Sequence, residues 1–401
     1  MPVAVRRSIG YFLLFFCAGL DLAVLGPTLP ALAELTGSTL GAMGMIFFLG
    51  AGGATLGTLL GGWVFDWAPG RIVLGSAQIL SAALLFLVPH VPGYAVLMGL
   101  FVVKGIAGGL LNTGANTLLL WTHGGAAGPY VNALHFFWGL GSFLSPFLLG
   151  LLLAAGGAYS DAYTLLAVFE FLMGAIVLLR LSTPAPGRRR PPVEGATKAG
   201  WHLAPIVFSA MLFLFFYVSA ELSFGGWLYT YALTLQLADA VRAAYLTSLF
   251  WLAFTIGRLI SIPLAVRLPP VRMLTVALLG CAAFLSVLVA FPASSAVLWI
   301  AVAGVGFSMA PIWPSGYTLA AQSVGLTARI SGVILLGDSI GGMVLPGLTG
   351  LFMERAGPAT MTRLVLASVV ATFLAFLGIL LFRRRRADSV PAYASPEPSQ
   401  G

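Results

Sequence analysis

Charge is scarce in this sequence. Only 8% of its 401 residues are Asp, Glu, Lys or Arg, against about 25% in soluble domains, and this scarcity excludes an ordinary water-soluble fold. Histidine and cysteine are scarcer still, with four and two. The histidines are scattered, and Cys17 and Cys281 fall inside apolar runs, so the sequence offers neither a disulfide framework nor metal-ligand spacing. No GxxxxGK[ST] loop exists to cradle phosphates, which argues against ATP-driven transport. No nucleophile–base pair stands out, so an enzyme is not expected and no cofactor is implied. The net charge of +8 sits in loops and leaves no nucleic-acid footprint.

What the chain has instead is hydrophobic length. Stretches of about 20 apolar residues recur throughout, the signature of bilayer-spanning helices; membrane β-strands are only about 10 residues long and alternate in polarity. The expected class is an all-α polytopic membrane protein. Twelve spans are expected, at roughly 9–33, 39–64, 71–90, 93–121, 129–154, 161–182, 203–232, 242–266, 271–291, 295–319, 328–352 and 359–382. Arg6 and Arg7 precede a first run too long for a signal-peptide core, so that run reads as the first helix. The Pro-, Gly- and Arg-rich segment 183–201 divides the spans six and six. This gives an N-terminal bundle over 1–182, a linker over 183–201, a C-terminal bundle over 202–382 and a polar, disordered tail over 383–401.

With both termini inside, fifteen of the twenty Lys and Arg residues fall in cytoplasmic segments, and only Arg242, Arg355 and Arg363 fall outside. That bias fixes both termini as cytoplasmic in a cell (inner) membrane. Shifting the chain by about 200 residues superposes the spans. The shift aligns Gly57 with Gly257, Gly141 with Gly341, Pro146 with Pro346, Gly150 with Gly350, and Asp21 with Glu221. Two pseudo-symmetric six-helix bundles, with the site between them near mid-membrane, are the major facilitator arrangement.

The charges near mid-membrane are Asp21, Lys104, Glu170, Glu221, Arg258 and Asp338. Each costs several kcal/mol unless it faces a cavity or a partner. Two readings compete. Asp21, Glu221 and Asp338 are coupling-ion candidates, with Lys104 and Arg258 contacting solute; alternatively Lys104 pairs with Asp21, and Arg258 with Asp338, to hold helices together. Glu170, on an expected peripheral helix, has the weakest functional reading. A carboxylate without a cation partner in an apolar cavity can load and release a proton; with hydroxyls and carbonyls nearby it can hold sodium.

Uncharged polar groups cluster as well. Asn112 and Asn116 share a helical face at i and i+4, and His135 lies on span five. Gly225-Gly226 is expected to loosen span seven beside Trp227 and Tyr229. Pro311, Pro314 and Gly316 are expected to break span ten around Trp313 and Tyr317, a break tolerated where a helix lines a cavity. Amides and aromatic faces suit a sugar, another polar solute or a drug; they also serve as glue between helices. After span two, "GGWVFDWAPGR" places Gly62, Asp66, Gly70 and Arg71 at a conformational gate. There the glycines would let spans two and eleven approach, and Asp66 would cap a facing helix. This GxxxxDxxxGR spacing resembles the cytoplasmic signature of the major facilitator superfamily.

"GLDLAVLGPTLPAL", "LHFFWGLGSFLSP", "GGWLYTYALT" and "YLTSLFWLAFTIGRLISIPL" resemble the sodium-dependent glucose transporter-like group, related to the fucose–proton symporters. The resemblance implies the facilitator fold and symport of a monosaccharide with sodium or protons, and puts Glu221, Trp227, Tyr229 and Arg258 in family-like positions. The chain departs from that pattern at Asn112, where an acidic residue is expected. It departs again at Gly341-Gly342-Met343, where Gly-Glu-Met is expected; Asp338 stands one turn earlier. The expected function is cation-coupled uptake of a sugar-like solute by a monomer in the lipid bilayer. An efflux antiporter for an amphipathic compound, or a non-transporting sensor on the same fold, are the alternatives.

Overall fold

The computed structural model describes residues 3–184, 204–324 and 328–389. Among them the regular structure is helical, without strands. Twelve helices are long and apolar enough to cross a membrane. They are α1 (Val3–Thr36), α2 (Leu40–Trp67), α3 (Gly70–His90), α4 (Tyr94–His123), α5 (Gly128–Ala154) and α6 (Tyr159–Arg180), followed by α7 (Ala204–Thr234), α8 (Ala240–Arg267), α9 (Pro270–Ala290), α10 (Ser295–Val324), α11 (Ile330–Ala356) and α12 (Thr360–Arg384). The expected spans correspond one to one, and the helices run several residues past many expected ends. α12 continues to Ser389, so the tail begins as helix rather than as a disordered segment at 383; the rest of the tail, and 185–201 of the linker, lie outside the described residues.

Packing repeats between the halves. α1 packs on α5, α2 on α4 and α3 on α6; correspondingly α7 packs on α11, α8 on α10 and α9 on α12. Glycines placed by the repeat account for these contacts. A Cβ on Gly141 would collide with the Phe16 carbonyl of α1, and one on Gly341 with the Phe215 carbonyl of α7. Likewise Gly57 abuts the Ile106 carbonyl of α4, and a Cβ on Gly257 would stand 2.7 Å from the Phe307 carbonyl of α10. Close backbone approach is how membrane helices gain packing where lipid is as apolar as the side chains.

The halves meet through α1 with α7, α2 with α11 and α5 with α8. Exchanging each helix for its repeat mate turns the second pair into the third and leaves the first unchanged, as a two-fold pseudo-axis requires. α3, α6, α9 and α12 stand outside this seam. α6 shows why: Leu165, Phe171, Leu172 and Leu179 are 48–71% exposed on one side, while Leu166, Glu170, Gly174 and Val177 form a buried stripe on the other.

At the end of the bundle away from the termini, the seam is closed. A Cβ on Gly26 would lie 2.7 Å from the Gly226 carbonyl, Gly44 abuts the Gly347 carbonyl, and the Gly41 amide donates to Glu354 Oε2 at 2.7 Å. α2 and α11 therefore approach through Gly44 and Gly347. Gly62 was expected to serve that approach, but a Cβ there would meet nothing. α7 is unbroken through Gly225-Gly226, contrary to the expected loosening. These glycines make room for rings instead: a Cβ would stand 2.7 Å from Trp251 at Gly225 and 2.8 Å from Phe47 at Gly226. α10 does break, between Met309 and Ile312.

Candidate functional site

In the N-terminal half the charges form one cluster. Asp21 projects from α1, where the helix is pressed against α5 by Gly19 and Gly141. Lys104 of α4 donates to Asp21 Oδ1 at 2.6 Å and to Ser81 Oγ at 2.9 Å, and Ser81 of α3 donates to Asp21 Oδ2 at 3.0 Å. The Lys104 and Asp21 side chains are only 9% and 18% exposed. A charge alone at this depth costs about 2.5–3.5 kcal/mol, so the pair is a condition for placing either residue. Of the two readings left open by the sequence, Lys104 realises pairing with Asp21.

The C-terminal half is organised differently. Glu221 of α7 is 8% exposed, and the charges acting on it are Arg258 of α8 and Asp338 of α11. Among the described residues it forms no ion pair. The Arg258–Asp338 pair of the alternative reading does not form. The Arg258 guanidinium lies 4.7 Å over the Phe254 ring, a cation–π arrangement, and its buried Nε has no hydrogen-bond partner. Asp338 instead accepts from Trp313 Nε1 at 2.7 Å, and Trp313 stacks on Tyr317, whose hydroxyl meets Ser331 Oγ at 3.0 Å. The break in α10 gives Trp313 and Tyr317 their place in this run. The cation acting on the carboxyl comes from α4 in one half and from α8 in the other, so the charge arrangement does not follow the repeat that aligns Asp21 with Glu221.

His135 and Arg258 line a crevice of about 20 Å³ between α5 and α8, together with Asn132, Gly139 and Thr255. Asn116 donates to Asn112 Oδ1 at 3.1 Å, and Asn112 is exposed; exposed amides at membrane depth suit a wet face of α4. A larger cavity of about 530 Å³ opens among α8, α9 and α10. It is lined mainly by apolar residues with Arg272 among them, and it holds none of the buried carboxyls.

Two expected solute contacts sit elsewhere. Trp227 is fully buried and donates Nε1–H to the Pro346 carbonyl at 2.8 Å, so in this conformation it joins α7 to α11 and offers a solute no surface. Tyr229 is 5% exposed farther along α7. In the loop motif, Asp66 is half-buried, Arg71 is exposed, and Gly70 packs on Leu118 and Thr183. Glu170, given the weakest functional reading because its helix is peripheral, has a partner the sequence did not single out: Gln78 Nε2 donates to Glu170 Oε2 at 3.0 Å, deep inside the N-terminal half. The available signal was the spacing of Glu170 with Gly174, a stripe a helix buries on one side.

The sequence model described as Major Facilitator Superfamily matches residues 11–346. Sodium-dependent glucose transporter 1A of Mus musculus is 31% identical over 371 residues, spanning 84% of this chain and 87% of its own length. Major facilitator superfamily domain-containing protein 4A of Homo sapiens is 25% identical, spanning 99% and 96%. A solved D-xylose-proton symporter shares the fold, with a TM-score of 0.74 at 15% identity over 94% of this chain and 96% of its own. A bacterial homolog of the human lysosomal transporter Spinster, inward-facing and unoccupied, does so with a TM-score of 0.74 at 13% identity, over 98% and 100%. Helix count, the paired six-helix halves and the family match agree: the chain is a membrane transporter of the Major Facilitator Superfamily.

Proposed function

We propose that this transporter is a secondary active symporter that moves a monosaccharide or similar polar solute with sodium or protons by alternating access, with both termini cytoplasmic in the cell (inner) membrane. The observation that carries the reading is the placement of Asp21 and Glu221. Both are on the helices that meet across the seam; one is ion-paired and the other is not. A buried carboxylate without an ion pair is stabilised by taking up a cation. Asp21, Glu221 and Asp338 act in coupling. Lys104, Asn112, Asn116, His135, Arg258, Trp313 and Tyr317 face the solute path or hold its walls. Gly62, Asp66, Gly70 and Arg71 act at the cytoplasmic gate. The names of the mouse relative and of the xylose–proton symporter support a sugar as solute and a cation as driver.

The apolar cavity among α8, α9 and α10 favours one second reading, export of an amphipathic compound. The test is uptake of radiolabelled glucose and fucose into proteoliposomes under a sodium gradient and, separately, a proton gradient. Accumulation above equilibrium with one gradient establishes symport and names the ion. No accumulation with either removes the sugar reading and brings export forward.

A further inference from the structure

Glu170 is a fully buried carboxyl on a helix outside the seam, and among the described residues no ion pair neutralises it. Its neighbours come from three helices. Gln78 of α3 donates one hydrogen bond to Oε2, and Asp21 of α1 and Lys104 of α4 act on it electrostatically, with the Asp21 carboxyl within side-chain hydrogen-bond reach. Gln78 and Ser81 stand at i and i+3, so one face of α3 touches both carboxyls: Gln78 meets Glu170, and Ser81 meets Asp21. Gly174, one turn from Glu170, keeps the helices close; a Cβ there would stand 3.0 Å from Ile79 N and 3.2 Å from Gln78 Cβ. The pocket is therefore tightly built.

Two features of this pocket point to a ligand. Gln78 Oε1 is buried with no hydrogen-bond partner and Glu170 Oε1 is buried with no protein donor, on side chains only 1% and 0% exposed. Buried polar oxygens of native proteins are nearly always satisfied. The charges are also unequal: two carboxyls, Asp21 and Glu170, face one ammonium, and Lys104 is already committed to Asp21 and Ser81. An isolated buried anion is neutralised or paired. The vacant acceptors are all oxygen, a donor set suited to a hard, weakly polarisable cation and not to a soft one.

We infer that Gln78 and Glu170, beside Asp21, form a monovalent-cation site in the N-terminal half, which takes up a sodium ion or a proton when the site is loaded. It deepens the symport reading by adding a cation site apart from Glu221, and rests on that reading for its part in transport, though the binding itself does not. Lys104 remains paired with Asp21 throughout, so loading changes the charge at Glu170 without breaking the helix-joining pair.

The test uses the full-length protein, purified in detergent, with its thermal unfolding midpoint followed in two arms. One titrates sodium at fixed pH and constant ionic strength with choline as replacement; the other titrates pH without sodium. The wild type is expected to show a saturable rise of the midpoint in one arm, and that arm names the cation. Glu170→Gln, which carries a neutral side chain of the same shape, is expected to lose that saturable response. Gln78→Ala, which leaves the carboxyl in place, is expected to shift its half-saturation about tenfold and serves if Glu170→Gln does not fold. The same comparison is made in a Glu221→Gln background, so that a response from the Glu221 carboxyl does not stand in for one from Glu170. A Glu170→Gln or Gln78→Ala response equal to wild type, or a flat wild type in both arms, overturns the site. Sugar uptake in the same preparations separates the two ideas: absent uptake with an intact Glu170-dependent response sinks symport alone, and cation-driven uptake unchanged by Glu170→Gln sinks the site's part in transport alone.

Discussion

Lys104 and Asp21 are joined at 2.6 Å, with Ser81 bonded to both. Removing one member of a buried ion pair leaves an uncompensated charge and costs about 3–5 kcal/mol. Lys104→Gln is therefore expected to lower the unfolding midpoint in detergent and to abolish concentrative uptake. The double variant Asp21→Asn with Lys104→Gln removes the whole pair. It should recover most of the stability while uptake stays uncoupled from either gradient. A double variant as unstable as the single one would show that the pair's electrostatics do not hold α1 and α4 together.

Glu221 has no such partner. Its neutral isostere, Glu221→Gln, is expected to fold and insert normally, to lose accumulation against a gradient, and to keep solute exchange between equal concentrations. Counterflow in proteoliposomes measures the last property directly. Loss of expression or of the monodisperse peak in detergent would assign Glu221 to structure instead.

The difference between these carboxyls marks the limit of what the sequence discloses. Asp21 and Glu221 align in the repeat, and Gly57, Gly257, Gly141 and Gly341 could be read as contacts because glycine at a repeated position has few other uses in a membrane helix. The partners could not be read. α7 is apolar on every side, so periodicity does not say which way Glu221, Trp227 or Gly225 points. Trp227 consequently looked like a cavity wall, yet it is tied to Pro346. Glu170 looked peripheral because its helix is peripheral, yet its buried stripe reaches the Asp21 cluster. In lipid, sidedness comes from tertiary packing, and one sequence carries little of that.

Glu354 accepts a hydrogen bond from the Gly41 amide across the seam at the end away from the termini. Hydrogen bonds to charged groups contribute about 1.5–3 kcal/mol; this one is exposed, and about 1 kcal/mol is a fair allowance after solvent screening. Glu354→Gln should therefore shift the closed population several-fold towards states open at that end. A cysteine introduced at Thr39 should then react faster with a membrane-impermeant maleimide than in the Glu354 background. An unchanged rate would mean that Gly26, Gly226, Gly44 and Gly347 hold the seam shut without this bond.

Arg258 acts on Glu221 and lines the crevice beside His135. Its charge is one of the two acting on Glu221, while its guanidinium plane covers Phe254 and its Nε is unpartnered beside His135. Charge and shape are separable here, because lysine keeps the first and loses the second. If Arg258 only balances Glu221, Arg258→Lys transports like wild type. If the planar fork bonds solute, Arg258→Lys should fold, keep its dependence on the cation gradient, and show a KM for solute raised about tenfold, the loss of about 1.4 kcal/mol of binding. Initial-rate uptake across solute concentrations, repeated at two cation gradients, decides between them: a changed KM at constant cation dependence assigns Arg258 to the solute, and wild-type KM with wild-type cation dependence assigns it to Glu221.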